Sequence, residues 1–150
     1  MSVRRFTAPD AGGAAEACAH QVISVLDETL AGQEFATLAV SGGSTPKLLF
    51  QKLAATRFPW DRVHLYFVDE RCVPPSDPAS NYKMAEENLI HPAHIPHRNV
   101  HRIAGELPPK TAAARYAEDI REHFGIEQGE MPHFDLVQRG MGPDAHTASL

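Results

Sequence analysis

The sequence predicts a layered α/β domain, a mostly parallel sheet flanked by helices and occupying residues 1–150. Three observations predict it. Short apolar runs of strand length alternate with longer stretches of helical periodicity, which implies parallel βαβ units. The 150-residue chain is 43% hydrophobic and 22% charged, an ordinary composition for one compact core. Three of the strand-like runs end in glycine-rich or polar residues, the place where such sheets bind ligands.

From about Ala11 to Leu30, the apolar residues Ala14, Ala17, Cys18, Val22, Val25, Leu26 and Leu30 keep the rhythm of an amphipathic helix. Phe35-Ala36-Thr37-Leu38-Ala39-Val40 is short and apolar, as a buried strand is. Pro46 opens a second helical pattern through Leu48, Leu49, Phe50 and Leu53, since proline is well tolerated at a first helical position. Val63 to Val68 is the next strand. The prolines at 74, 75 and 78 then require a loop. A helix restarts near Ser80 or Asn81 and ends before His91-Pro92. Asn99 to Ile103 is a short strand, Pro108 to Phe124 a helix, and Phe134 to Val137 a last strand entering Gly140-Met141-Gly142.

Lysine and arginine number 14 against 19 aspartates and glutamates, a net charge of −5. A mildly acidic chain lacks the basic face that nucleic-acid binding needs. No apolar run approaches the roughly 20 residues of a membrane span, and the N-terminal residues lack the apolar stretch of a secretory signal. Cys18 and Cys72 are too few for a disulfide framework and have no metal-ligand spacing. The expectation is a cytoplasmic, reduced protein.

The first of the three strand ends is Ser41-Gly42-Gly43-Ser44-Thr45-Pro46-Lys47. Its glycines let a ligand approach the backbone, and the helix that follows offers N–H groups and a positive dipole end, a natural phosphate cradle. Ser44 or Thr45 should cap that helix. A plain strand-to-helix turn is the competing reading. The second is Asp69-Glu70-Arg71, where the arginine is placed to hold a phosphate or sugar oxygen, or simply to pair with an acid at the surface. The third is Gly140-Met141-Gly142-Pro143-Asp144-Ala145-His146. It mimics a dinucleotide fingerprint, but Pro143 removes a backbone donor and no downstream ribose-binding acid follows. His146 is instead a candidate base near neutral pH, with Asp144 placed to fix its tautomer. His91, His94, His97 and His101 look like a metal cluster, but Pro92 and Pro96 break any shared helical face, so no metal is expected there.

Taken together, Ser41-Gly42-Gly43-Ser44-Thr45-Pro46, Asp69-Glu70-Arg71 with Val73-Pro74 and Ser80-Asn81-Tyr82, and the run from Gly140 to Leu150 resemble the glucosamine-6-phosphate isomerase/6-phosphogluconolactonase family, on its lactonase side. The order and separation of the three segments match, over nearly the whole chain. The resemblance implies a Rossmann-like fold related to the sugar-phosphate deaminases and isomerases. It also implies hydrolysis of 6-phospho-D-glucono-1,5-lactone in the oxidative pentose phosphate pathway, with a small sugar phosphate as substrate and neither a metal nor an organic cofactor. Gly42, Gly43, Ser44, Thr45, Arg71, Asn81 and Gly142 would then bind the substrate. His146 would activate water against C1 of the lactone, with Asp144 orienting it.

Glucosamine-6-phosphate deaminases have similar loops, but typically carry tyrosine after the acidic pair where this chain has Arg71. A non-catalytic sugar-phosphate-binding module and an inactive remnant are two further readings. Family members usually have glycine in place of Ala145 and apolar residues in place of Gln138 and Arg139. Relatives also continue beyond Ser149-Leu150, so the sequence is expected to be an incomplete member with an exposed sheet edge.

Overall fold

The structure is a computed structural model and describes residues 3–142 together with Asp144, Thr147 and Ala148. Helix α1 spans Ala11–Gly32 and is capped by Asp10, whose Oδ1 accepts from the Gly13 N–H at 2.7 Å. It turns Ala15, Ala19, Val22, Leu26 and Leu30 inward. The buried stripe thus passes through Ala15 and Ala19 rather than the expected Ala14 and Cys18, which are exposed. Periodicity could not separate those faces, because small residues occupy both sides of the helix's first half.

Next come β1 (Ala36–Val40), α2 (Ser44–Ala54), β2 (Val63–Phe67) and α3 (Asn81–Ala85). Helix α3 runs on into a π-helical turn over Glu86–Ile90. β3 (Val100–His101), α4 (Pro109–Phe124) and β4 (Leu136–Val137) follow. The prolines at 74, 75 and 78 fall in loop, as expected.

The sheet order is β3-β2-β1-β4 and every pairing is parallel. β1 and β2 pair from Ala36↔Val63 to Val40↔Phe67. β4 adds only Leu38↔Leu136 and Ala39↔Val137. The chain moves outward from β1 through β2 to β3, then returns to the far side of β1. That reversal creates a switch point between the carboxyl ends of β1 and β4, where α/β sheets open a crevice.

Strand alternation sorts the two faces. Ala36, Leu38, Val40, Val63, Leu65 and Phe67 join α1, α2 and α3 in one apolar core. His64 and Tyr66 belong to the opposite face, with Tyr66 packed edge-on against Phe134 at 5.0 Å and tilted against Phe124 of α4 at 5.9 Å. Burial, and after it the neighbouring His123 and His101, pushes the His64 imidazole down to about 4.

Side chains hold the short β4 in place. Asp135 Oδ2 accepts from both the backbone N–H and the hydroxyl of Thr37, at 2.8 and 2.7 Å. Gln138 Oε1 accepts from the Ser41 N–H at 3.0 Å, while its own N–H donates to Ala39 O at 2.8 Å. Gln138 therefore extends the β1–β4 ladder past its last paired residue, which gives a polar side chain a structural role at this strand end. Asp135→Ala should cost about 2 kcal/mol, the loss of a doubly used charged acceptor, read as a lowered urea midpoint. An unchanged midpoint would show that backbone pairing alone holds β4. β4 lies at the sheet edge, with Val137 46% and Met141 78% exposed.

Candidate functional site

The switch-point crevice is a cavity of about 480 Å³. The loop from Ser41 to Pro46 forms one wall, Asp69, Arg71 and Asn81 another, and Arg139 to Gly142 a third. Residues of all three predicted strand ends therefore line one cavity, although they lie far apart in the chain.

In the first wall, Gly43 is the N-cap residue of α2, at φ 120, a conformation that favours glycine. Its carbonyl accepts the first helical bond from Lys47 N–H at 3.1 Å. Among the described residues no side chain caps this helix, so the expected cap by Ser44 or Thr45 is not made. Both residues lie inside the first helical turn rather than at the cap position, and Pro46 is the third helical residue, not the first. The helix thus presents the Ser44 and Thr45 N–H groups at the cavity with no side-chain acceptor. The Ser41 hydroxyl is buried beside them, with no hydrogen-bond partner among the described residues.

The second wall is organised by Asn81, which is 2% exposed. Its Oδ1 accepts from Arg71 Nη1 at 2.7 Å, and its Nδ2 donates to Asp69 O at 3.0 Å. Glu70 builds the turn beneath. Its Oε1 accepts from Asn81 N–H and Arg71 N–H, and its Oε2 from Tyr82 N–H and the Ser80 hydroxyl. One carboxylate therefore occupies the N-terminal donors of α3 and fixes the backbone of Arg71. Glu70→Ala should cost about 2 kcal/mol or more, because buried donors lose a charged acceptor. Hydrogen exchange at Asn81 and Tyr82 would report it, and undiminished protection there would refute the cap.

Two glycines admit no side chain. A Cβ on Gly42 would lie 1.7 Å from Asn81 Oδ1, and one on Gly105 would lie 2.3 Å from Arg71 O. Sequence reasoning missed Gly105, and it singled out the Asp69-Glu70-Arg71 segment without giving Glu70 its capping role. Their partners lie 34 and 11 residues away, and no local pattern marks such pairs.

In the third wall, Arg139 is exposed and lines the cavity, so a charge at this strand end carries no burial cost. Gly142 lines the cavity as expected. Among the described residues, Asp144 is exposed and is not part of the lining. His146, the expected base, lies outside the described residues, as does Ala145. An uncapped helix start with guanidinium groups at Arg71 and Arg139 is suited to an anion. No helix among the described residues is long and apolar enough to cross a membrane.

The chain is 41% identical over 130 residues to a 6-phosphogluconolactonase of Nostoc, covering 86% of this chain and 54% of that protein. It is 40% identical over 139 residues to one from Treponema pallidum, covering 91% and 57%. The chain thus spans about half the length of these curated relatives. The crystal structure of 6-phosphogluconolactonase from Thermotoga maritima superposes with a TM-score of 0.85 at 32% identity, covering 97% of this chain and 62% of that one. With a matching family model described as glucosamine-6-phosphate isomerases/6-phosphogluconolactonase over residues 9–150, this chain belongs to that family.

Proposed function

We infer that the chain carries the substrate-binding and water-activating part of a 6-phosphogluconolactonase, converting 6-phospho-D-glucono-1,5-lactone to 6-phospho-D-gluconate. The observation that supports this is the meeting of three strand-end segments around one anion-suited cavity at the sheet's switch point.

In this reading the phosphate sits against the Ser44 and Thr45 N–H groups and hydroxyls, with the Gly42-Gly43 backbone allowing close approach. Arg71 supplies a charge-assisted contact. Asn81 belongs to the binding set through the Arg71 guanidinium that it orients. His146 takes a proton from a water molecule as that water attacks C1, and Asp144 holds the imidazole in the right tautomer. The developing oxyanion is stabilised by backbone N–H groups near Gly142. Collapse breaks the bond between C1 and the ring oxygen, and the imidazolium returns its proton to that oxygen. An ester carbonyl is already electrophilic, so one base suffices. A sugar-phosphate deaminase needs further acid–base groups to move protons between carbons and open a ring.

The test is lactone hydrolysis by the 150-residue chain, coupled to oxidation of the 6-phosphogluconate formed, with spontaneous ring opening subtracted. A rate above the spontaneous one is expected, with no ammonia released from glucosamine 6-phosphate. Thermal stabilisation by 6-phosphogluconate without turnover would replace the lactonase reading with a binding module. Neither property would overturn both.

A further inference from the structure

On the face of the sheet opposite the main core, imidazoles from three separate elements gather: His64 of β2, His101 of β3 and His123 of α4. Each offers a ring nitrogen, and the three nitrogens lie within 4.8 Å of one another. His64 Nδ1 and His101 Nε2 are 2.9 Å apart. The other nitrogen of His101 is 2.8 Å from Asp119 Oδ2. A carboxylate only accepts, so His101 Nδ1 carries the proton there, and in the neutral ring Nε2 presents its lone pair toward His64. Metal-bound histidines are ordinarily oriented in this way, one nitrogen on the ion and the other N–H on a carboxylate.

The rings are held by packing as well. Tyr66 stacks on His101 at 4.2 Å and 4°, and Phe35 meets His64 edge-on at 5.1 Å. A hydrogen-bonded chain Asp119–His101–His64 would account for two of the rings. It does not account for His123, whose ring centre lies 4.2 Å from that of His64 and 4.9 Å from that of His101. These residues are separate from the lining of the phosphate cavity.

We propose that His64, His101 and His123 form a three-histidine site for a divalent transition-metal ion of the zinc class, with Asp119 as the partner that orients His101. Nitrogens 2.0–2.1 Å from a tetrahedral ion stand about 3.3 Å apart. Binding would need the His64–His101 pair, now 2.9 Å apart, to open by about 0.4 Å and the exposed His123 side chain to rotate inward. An all-imidazole set selects Zn²⁺, Co²⁺, Ni²⁺ or Cu²⁺ over Mg²⁺ and Ca²⁺. The ion would join the last turn of α4 to two strands. That helix buries only Ala112, and its middle is tied to the sheet by Tyr116, whose hydroxyl bonds both the N–H and the carbonyl of Phe67. Metal binding would therefore act as folding energy.

The test is titration of the metal-free chain with Zn²⁺ and Co²⁺, followed by calorimetry, the visible spectrum of bound Co²⁺ and thermal melting. One saturable equivalent and a Tm raised by Zn²⁺ but not by Mg²⁺ are expected. His123→Asn, at an exposed helix end where the fold is kept, should weaken binding at least tenfold. Asp119→Asn should weaken it about 10–100-fold. His94→Gln, at an exposed histidine outside the cluster, should change nothing. Absence of saturable binding, binding undiminished in H123N, or a loss in H94Q instead of H123N would overturn the site. None of these readouts depends on lactone turnover.

Discussion

Replacing His146 by alanine is expected to lower lactone turnover by about 10²–10⁴-fold, the usual contribution of a positioned general base. The affinity for 6-phosphogluconate should stay within a few-fold, because in the proposed binding mode the other two walls hold the phosphate. The expectation rests on the residues either side of His146 in sequence, since Gly142 and Ala148 both line the cavity. It rests also on chemistry: the cavity's remaining side chains include guanidinium groups and hydroxyls, which are poor bases at neutral pH. Among the described residues Asp69 is the lining carboxylate, so Asp69→Asn is the necessary companion variant. Undiminished turnover in H146A, together with collapse in D69N, would move the base to Asp69 and remove His146 from the mechanism.

Gly42→Ala should be as damaging by a different route, with KM raised by about tenfold or more. The added carbon would meet Asn81 Oδ1 at 1.7 Å, far inside van der Waals contact. Asn81 is 2% exposed and cannot swing aside, because its backbone N–H is bound to Glu70 and its amide to Asp69 and Arg71. Overpacking of this kind costs roughly 1–3 kcal/mol, and relief requires Asn81 to release Arg71. Loss should therefore appear first in phosphate affinity, with the melting temperature lowered by a few degrees for about 1 kcal/mol at this size. A G42A protein with normal KM would show that neither Asn81 nor Arg71 positions the substrate.

A contrast in type separates these two variants. In the proposed mechanism His146 acts on the reacting atoms, so H146A should lower kcat. G42A adds an atom to the floor of the site and should act mainly through KM. Measuring both parameters in both proteins separates catalysis from positioning, since uniform binding losses raise KM without lowering kcat.

Much of the fold was legible from the chain. Each strand and helix lies close to where alternation and helical rhythm placed it, and Ser80 caps α3, its hydroxyl accepting from Lys83 N–H at 3.2 Å, where a helix restart was expected. The glycine-rich loop, Arg71 and the Gly140–Gly142 run were also legible as strand ends, because strand length and turn chemistry are local properties. Errors came where local pattern carries no direction. The inward side was misplaced by one position in the first half of α1 only, and the cap of α2 went to Gly43 rather than to Ser44 or Thr45.

By itself, then, the chain dictates a parallel α/β alternation and three ligand-suited loops, since periodicity and backbone-restricted residues act over a few positions. Tertiary structure alone decides that Asn81 fills the space beside Gly42, that Glu70 caps a helix ten residues on, and that His64, His101 and His123 share a point. Those meetings depend on strand order and register. A strand fits either side of β1 with the same hydrophobic pattern, and only packing of the whole sheet selects which distant side chains become neighbours.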